Sequence, residues 1–273
     1  MRFDVVAREG VPPASAGRQQ FVSTSGDERW TLRISGSMEM RMGGPWRGHG
    51  TLRGPDDTTD LGEIGFPFCD FVPWLSGDHA VWLDRKARPL LVPLADPSRA
   101  SRMSSIKGEM MSVVCNGNRG VALRMYGWRH RALTFFNSAG ETTGEWQHRN
   151  LFGAAGFTED GAAVLAMVQA GWKGTVELVA LDPESGDVLV QIGLDEIDPF
   201  DPGPDRSGGL PLTRADLNGA YGTWRRDHPI ARFDAERGVL FVGREHPTGE
   251  KVERFGKPHA VSELHWIQIA LTS

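Results

Sequence analysis

A phrase repeated along this chain constrains its fold more than any other feature of the sequence. Each copy begins with a turn, enters a short apolar strand, passes a second turn that carries Trp and a basic residue, and ends in another apolar strand. The clearest copies are residues 120–136 (GVALRMYGWRHRALTFF) and residues 161–180 (GAAVLAMVQAGWKGTVELVA). Their tryptophans, Trp128 and Trp172, lie 44 positions apart. A period of about 40–50 residues with several strands per unit is typical of chains that repeat a small β-sheet.

Short apolar runs bounded by Gly, Pro, Asp and Asn fill most of the remaining sequence, whereas helical periodicity is scarce. The 34 glycines and 17 prolines supply the turns that many short strands require. This pattern predicts an all-β chain. The strand-like runs are residues 30–34, 80–83, 90–94, 121–125, 133–136, 162–168, 176–181, 188–192, 239–242 and 266–271.

Turns rich in Gly, Asp, Asn and Glu recur before the second strand of each repeat. They begin at residues 26, 77, 117, 159 and 235, so the steps between them are 51, 40, 42 and 76 residues. Because the last step is about twice the others, it predicts a degenerate unit near 197–234. Phe3, Val5 and Val6 precede the first repeat, and we expect them to form a strand that pairs with the last unit and closes a ring.

These observations predict a single β-propeller domain over residues 1–273, with six four-stranded blades. Five or seven blades are alternatives, and a β-sandwich is a weaker one. A propeller suits the pattern because its radial repetition leaves only short strand edges exposed. The approximate units are 1–76, 77–116, 117–158, 159–196, 197–234 and 235–273.

One unit resembles a known superfamily. The segments FTEDG at 157–161 and ELVALDPESGDVL at 177–189 resemble the blades of WD-like and quinoprotein-like β-propeller repeats. The resemblance covers this unit well and two or three others loosely, and residues 35–75 and 195–230 poorly. The Trp-Asp dipeptide that ends many WD-repeat blades does not occur in the chain. The resemblance concerns the fold and implies no activity.

Bulk charge and cysteine content limit the functional classes. A net charge of −5 gives no attraction to nucleic acid or to an anionic membrane. The N-terminal segment MRFDVVAREG lacks the apolar core of a signal peptide, and no apolar run approaches the ~18 residues of a membrane helix. Cys69 and Cys115 stand in unrelated contexts, as expected for reduced thiols. We therefore expect a cytoplasmic protein that uses no cofactor.

The Trp-basic pairs are the candidate binding residues. In the expected register, the turns between second and third strands and the connections between blades fall on one face of the ring. Trp offers a flat π face, and a neighbouring cation adds charge and hydrogen-bond donors. The alternative is that each Trp packs between blades while its basic neighbour points into water. The predicted binding residues are Trp46, Arg47, Tyr126, Trp128, Arg129, Trp172, Lys173, Trp224 and Arg225.

No catalytic motif appears in the sequence, and no metal site is predicted. The acidic stretch 195–205 (DEIDPFDPGPD) is interpreted as a solvated loop, with Ca²⁺ binding as the alternative. The sequence thus predicts a non-catalytic propeller that recognises a partner protein or a small anionic or sugar-like ligand. The alternative is a metal-dependent propeller hydrolase or lactonase, or a glycan-active enzyme, with Asp201, Asp205 and Asp227 as its candidate acids.

Overall fold

A computed structural model gives the fold of the chain. It describes residues 1–8, 20–36, 47–65, 71–107, 109–126, 130–148, 151–169, 176–199, 212–213, 230–234, 237–254 and 256–272. Within these ranges the chain is almost entirely β-structure, with one α-helical turn, α1 (Leu194–Ile197), and one 3-10 turn (Pro97–Arg99). The prediction of an all-β chain is confirmed.

Four antiparallel sheets of four strands follow one another along the chain, and in each the strands lie side by side in sequence order. These sheets are the first four blades of a β-propeller. The first blade contains β2 (Gln20–Thr24), β3 (Thr31–Ser35), β4 (Arg47–Arg53) and β5 (Thr58–Gly65). The second contains β6 (Trp74–Leu75), β7 (His79–Leu83), β8 (Pro89–Pro93) and β9 (Ser101–Arg102). The third contains β10 (Glu109–Asn116), β11 (Arg119–Tyr126), β12 (His130–Asn137) and β13 (Thr142–His148). The fourth contains β14 (Leu151–Phe157), β15 (Val164–Gln169), β16 (Val176–Leu181) and β17 (Val188–Gly193).

The fifth blade joins the two ends of the chain. Its strands run in the order β1-β21-β20-β19, so the N-terminal strand is the outermost. Phe3 pairs with Leu271 and Val5 with Ile269, as expected from the apolar N-terminal residues. The predicted closing strand is therefore confirmed. The strands are β1 (Arg2–Arg8), β19 (Ile230–Asp234), β20 (Val239–Arg254) and β21 (Lys257–Thr272), and a two-residue strand, β18 (Leu212–Thr213), also pairs with β21.

All five turns of the sequence ladder precede the second strand of a blade. They begin at residues 26, 77, 117, 159 and 235, immediately before β3, β7, β11, β15 and β20. The described residues form five blades, and a count of six is not confirmed. From the expected degenerate unit 197–234, the described part contributes β18 and β19, which both belong to the fifth blade.

Apolar side chains pack between successive blades and form three clusters. The first lies among the first three blades and includes Leu32, Val81 and Val113. The second, between the third and fourth blades, contains Phe135, and the third, between the fourth and fifth, contains Leu165. Alternate residues of a strand face opposite sides of the sheet, so the third and fourth blades contribute to the core on both faces, whereas β3 of the first blade alternates buried Leu32 and Ile34 with exposed Arg33.

The first turns of the fourth and fifth blades touch through Gly238. Its φ of 60° lies in the left-handed region, and a Cβ there would stand 2.1 Å from the backbone nitrogen of Glu159. Only Gly fits such a contact without displacing a neighbouring backbone. No helix in the described ranges is both long and apolar enough to cross a bilayer.

Candidate interaction surface

The antiparallel order of the strands defines one end of each blade, here called the rim. At the rim, the second strand turns into the third, and the outer strand leads to the next blade. Val72, just before β6, forms a parallel bridge with Val114 of β10, so the inner strands of the second and third blades run in the same direction. The turn between β7 and β8 and the ends of β11 and β12 therefore lie on the same face of the ring.

Two of the predicted binding residues fall within the described ranges. Arg47 begins β4 at the rim, and its guanidinium lies 3.7 Å from the Glu63 carboxylate. Both side chains are about half exposed (48% and 54%), so this ion pair adds little stability and leaves the cation in contact with water. Tyr126 ends β11 at the rim, opposite His130 in the register.

The other predicted binding residues lie outside the described ranges, and so does the proposed grouping of Trp with basic neighbours. Their positions relative to one another stay a prediction. These residues are Trp46, Trp128, Arg129, Trp172, Lys173, Trp224 and Arg225.

The rim turn of the second blade is held by Asp84. Its carboxylate accepts hydrogen bonds from the backbone N–H of Lys86 at 2.7 Å and of Arg88 at 3.0 Å, and from the Arg88 guanidinium at 2.8 Å. Burial opposes ionisation, but these hydrogen bonds hold the pKa of Asp84 below its ordinary value. The anchored turn leaves Arg85 and Lys86 exposed, so this blade presents two cations at the rim.

A two-stranded ribbon extends from the fifth blade at the rim. β19 pairs with β20 only over Val239–Gly243, whereas β20 and β21 stay paired as far as Arg254 and Lys257. Residues 244–254 and 257–265 thus continue past the four-stranded part of the blade. At about 3.3 Å per residue, the longer strand of this ribbon reaches roughly 35 Å.

Among the side chains described in the ribbon, the exposed ones are mostly charged. Glu250, Lys251, Val252, Glu253 and Pro258 all face solvent. A register shift between Pro247 and Lys251 interrupts the pairing, and β18 pairs with two residues of β21, Val261 and Ser262. Elsewhere in the described residues, no strand pairs with the outer edges of the ribbon.

The sequence did not predict the ribbon. Its strand-like runs end at residue 242 and resume at 266, because Pro247, Gly249 and Pro258 in between are typical strand breakers. The register shift accommodates Pro247 and Gly249, whose φ is 78°. The available signal was Gly256, a turn residue placed between two apolar runs that belong to neighbouring strands.

One acid of the stretch after β17, Asp198, is buried and pairs with the half-exposed Arg8 of β1. The Asp198 side chain is 4% exposed and accepts a hydrogen bond from the Arg8 guanidinium at 2.5 Å. The interpretation of this stretch as a solvated loop is therefore wrong for Asp198, which attaches the closing strand β1 to the segment after α1. Asp195 and Glu196 are exposed, as expected. Asp201, Asp205 and Asp227 lie outside the described ranges.

Cys115 and His148 are the described thiol and imidazole whose pKa values shift with burial. Cys115 is buried, and the loss of solvent raises the pKa of its thiol far above the ordinary value. The imidazole of His148 stacks on the Trp146 ring at 5.5 Å between centroids. Burial lowers the pKa of His148, and the nearby Glu177 carboxylate partly opposes this effect. In the part of the chain that the structure describes, no three His, Cys, Asp or Glu side chains gather as a metal site would require.

One cleft of about 390 Å³ lies between the second and third blades. Leu91 and Met103 form its apolar wall, and Ser101, Arg102 and Glu141 add polar groups. The polar side chains of its described lining are exposed to solvent.

Comparison with known proteins gives shape similarity alone. No family model and no curated protein sequence matches the chain. Among solved structures, an uncharacterized protein of Listeria monocytogenes aligns with 67% of this chain and 56% of its own at 12% identity and a TM-score of 0.40. The acylaminoacyl peptidase of Pyrococcus horikoshii aligns with 90% of this chain and 40% of its own at 8% identity and a TM-score of 0.49. The WD40 domain of Toxoplasma gondii coronin aligns with 99% of this chain and 89% of its own at 11% identity and a TM-score of 0.35.

The chain thus spans 56% of the length of the first of these proteins and 40% of the second. The fold is assigned from the chain's own sheets: four-stranded antiparallel blades in series, apolar cores between them, and an N-terminal strand that completes the last blade. By this architecture the chain is a β-propeller.

Proposed function

We propose that this protein is a non-catalytic interaction module that binds a partner protein at the rim. The observation that carries the proposal is the ribbon formed by residues 244–254 and 257–265. Four strands of the fifth blade pair without it, because β19 and β1 contact only the parts of β20 and β21 that precede and follow the ribbon. Apart from two residues of β21 that pair with β18, the described ribbon supports no other strand and extends from the rim, where it is available for contact with another molecule.

The chemistry of the ribbon favours a protein partner. Its outer edges present backbone N–H and C=O groups, and an extended segment of another protein pairs with such groups by strand addition. Charges of both signs at Glu250, Lys251 and Glu253 discourage the ribbon from pairing with copies of itself and give a partner a pattern to match.

The cations at the rim provide a second contact. Arg47, Arg85 and Lys86 are exposed on the first two blades. Together with the predicted Trp-basic pairs, they would favour an acidic segment of the partner, because Trp and Arg concentrate binding energy at interfaces. A small anionic or sugar-like ligand at the same rim is the alternative to a protein partner.

The test compares the proteins captured by the intact chain with those captured by two variants. In the first, an Asn-Gly turn joins Arg244 directly to His265, which removes the ribbon but keeps the paired parts of the blade. In the second, Trp128 and Trp172 are both replaced by Ala. The matched control is Thr143→Ala on the exposed strand β13. We expect a shared set of partners to be lost from both variants and kept by the control, with melting temperatures within a few degrees.

Two results would contradict the proposal. Capture that is unchanged by removal of the ribbon would show that the ribbon does not bind. Unfolding of the Trp128→Ala/Trp172→Ala variant would show that these side chains pack between blades. A thermal shift with Ca²⁺ or Zn²⁺ that a chelator reverses would instead favour the metal-dependent enzyme. A cytoplasmic location stays a prediction from the sequence.

A further inference from the structure

The rim turn of the second blade is attached to the blades on both sides of it. On one side, the Ala87 carbonyl accepts a hydrogen bond from the Met110 N–H of β10 at 2.9 Å. On the other side, Ile64 of β5 forms an antiparallel bridge with Asp84. Ala87 is buried and has a left-handed φ of 57°, a conformation that persists where its surroundings hold it in place. The turn is therefore a rigid support for the side chains that it exposes.

Four cationic side chains gather at this turn, which holds one carboxylate. Arg88 donates from Nε to Asp84 at 2.8 Å, and its side chain is 35% exposed. Nε of Arg102, in the outer strand β9, lies 3.9 Å from the same carboxylate, and this side chain is 61% exposed. Arg85 and Lys86, in the turn itself, are exposed. We call Arg85, Lys86, Arg88 and Arg102 the cationic cluster; Asp84 offsets one of its four charges.

The cluster differs from the other ion pairs that described side chains form with one another. Arg47 pairs with Glu63, one cation to one acid. Arg119 pairs with Glu184 in the same way. Asp84 instead contacts two guanidinium groups, with two further cations in its own turn. Like charges that share an exposed turn repel one another, and a bound anion relieves that repulsion. The excess charge therefore favours an anionic ligand at this turn.

The open cleft between the second and third blades begins at the cluster, because Arg102 lines it. Ser101 and Ser104 add exposed hydroxyl groups beside that side chain, and a hydroxyl donates to anion oxygens. Glu141, the carboxylate of the lining, accepts a hydrogen bond from the Asn137 amide at 3.0 Å. The cleft thus continues the surface from the cations to the apolar wall already described, and a bound segment has room to extend along it.

We propose that the cationic cluster binds a phosphorylated Ser or Thr in an extended segment of the partner protein. This inference rests on the proposed function and specifies the chemical group that the partner brings to the rim. A phosphate monoester carries nearly two negative charges and three acceptor oxygens near pH 7. It accepts from more than one guanidinium fork at once, and it offsets more of the excess charge than a single carboxylate does.

The open position of the cluster favours a phosphate attached to a protein segment. Exposed cations contact a bound phosphate from one side and leave the rest of its surface in water, so a free phosphate ion gains little there. A segment that also lies along the cleft adds contacts to the same molecule. Nucleic acid is disfavoured, because the net charge of −5 and the exposed ribbon acids Glu250 and Glu253 oppose a long run of phosphates at the rim.

The experiment measures binding of a short dye-labelled peptide of Gly and Ser with one central phosphoserine to the full chain, by fluorescence anisotropy. We expect it to bind about tenfold more tightly than the same peptide with Ser or Glu at that position. Arg85→Gln/Lys86→Gln and Arg102→Gln should each weaken binding of the phosphopeptide by about tenfold. The matched control is Arg237→Gln. Nε of Arg237 lies 3.7 Å from Asp234 and its side chain is 69% exposed, so this change should alter the affinity by less than about twofold.

Each outcome decides the inference. It is overturned if the phosphopeptide does not bind, if the Glu peptide binds as tightly, or if inorganic phosphate competes at the same concentration as the peptide. Equal losses in Arg237→Gln and in the cluster variants also overturn it. Because the substituted side chains are exposed, melting temperatures should stay unchanged, and Lys86→Gln alone replaces any variant that unfolds. Removal of the ribbon should leave phosphopeptide binding intact, which separates failure of this inference from failure of the proposed function.

Discussion

A buried guanidinium in the third blade leads to an asymmetric prediction about stability. The Arg124 side chain is 1% exposed and donates to the Glu145 carboxylate and to the backbone carbonyl of Lys107. Thr134 donates to the same carboxylate at 3.5 Å. The Glu145 side chain is 32% exposed, so water reaches one partner of the ion pair but not the other.

The two partners should therefore differ in what their removal costs. Glu145→Ala leaves the Arg124 charge buried, and breaking a buried pair in this way costs about 3–5 kcal/mol. Partial exposure of the carboxylate places the expected loss near the lower limit, about 3 kcal/mol. Arg124→Met removes the buried charge, keeps most of the side-chain volume, and frees a carboxylate that water can solvate. We expect it to cost only about 1 kcal/mol.

These losses in the free energy of unfolding correspond to measurable changes in melting temperature. A chain of 273 residues has an unfolding entropy of roughly 0.6 kcal/mol/K, so Glu145→Ala should lower the melting temperature by about 5 °C and Arg124→Met by about 2 °C. Unfolding in urea measures the same order of stability among the variants, and because urea is uncharged it does not screen the ion pair. Arg124→Met/Glu145→Ala should be no less stable than Glu145→Ala alone. If Arg124→Met proves the more damaging single change, then packing and the Lys107 contact outweigh the buried charge, and the reasoning is refuted.

Three further predictions follow from single contacts. Gly238→Ala places a Cβ against the backbone of the fourth blade and should lower the free energy of unfolding by at least about 3 kcal/mol. Gly249 has open space around it and a φ of 78°, so Gly249→Ala should lower it by only about 1 kcal/mol. Equal urea midpoints for the two variants would contradict this prediction. Arg8→Met leaves Asp198 buried without its cation and should cost about 2 kcal/mol in the same assay, and a loss within error would show that the ion pair does not attach β1. Burial lowers the pKa of His148 in the folded chain, so the unfolded chain binds the proton first as the pH falls. The free energy of unfolding is therefore at its full value above the ordinary pKa of about 6.5 and declines as the pH falls from there to the lower pKa of the folded chain. His148→Phe should flatten the melting temperature between about pH 7.5 and 5.5, and an unchanged slope would exclude this residue as the cause.

The fold was predictable where its signals are local. The turn before each second strand is specified by a few residues, and Gly117, Gly161 and Gly238 in three of these turns have positive φ. Each such turn reverses the chain between two apolar runs, so its recurrence indicates the kind of repeating unit without knowledge of distant contacts. The closing strand was predictable because its apolar residues, Phe3 and Val5, need a sheet to cover them.

The number of blades was less accessible, because spacing does not distinguish a degenerate repeat from an insertion. The step of 76 residues between the turns at 159 and 235 fits either one. The described part of this interval beyond the fourth blade supplies β18, which pairs with the ribbon side of β21, and β19, the inner strand of the fifth blade. A period read from sequence therefore gives the kind of unit more securely than the number of units.

The candidate surfaces depend on pairings that no short window of sequence contains. Asp198 looks like one of several solvated acids until Arg8, 190 positions away, is placed beside it. The ribbon looks like a loop, because its Pro and Gly residues are tolerated only where a register shift absorbs them. β17 is the converse case: its apolar pattern predicts a strand correctly, but only the order of the sheet shows that the strand lies at an edge. At the end of that edge the Gly193 N–H donates to the Glu196 carboxylate at 3.0 Å, a contact that the strand pattern alone does not indicate.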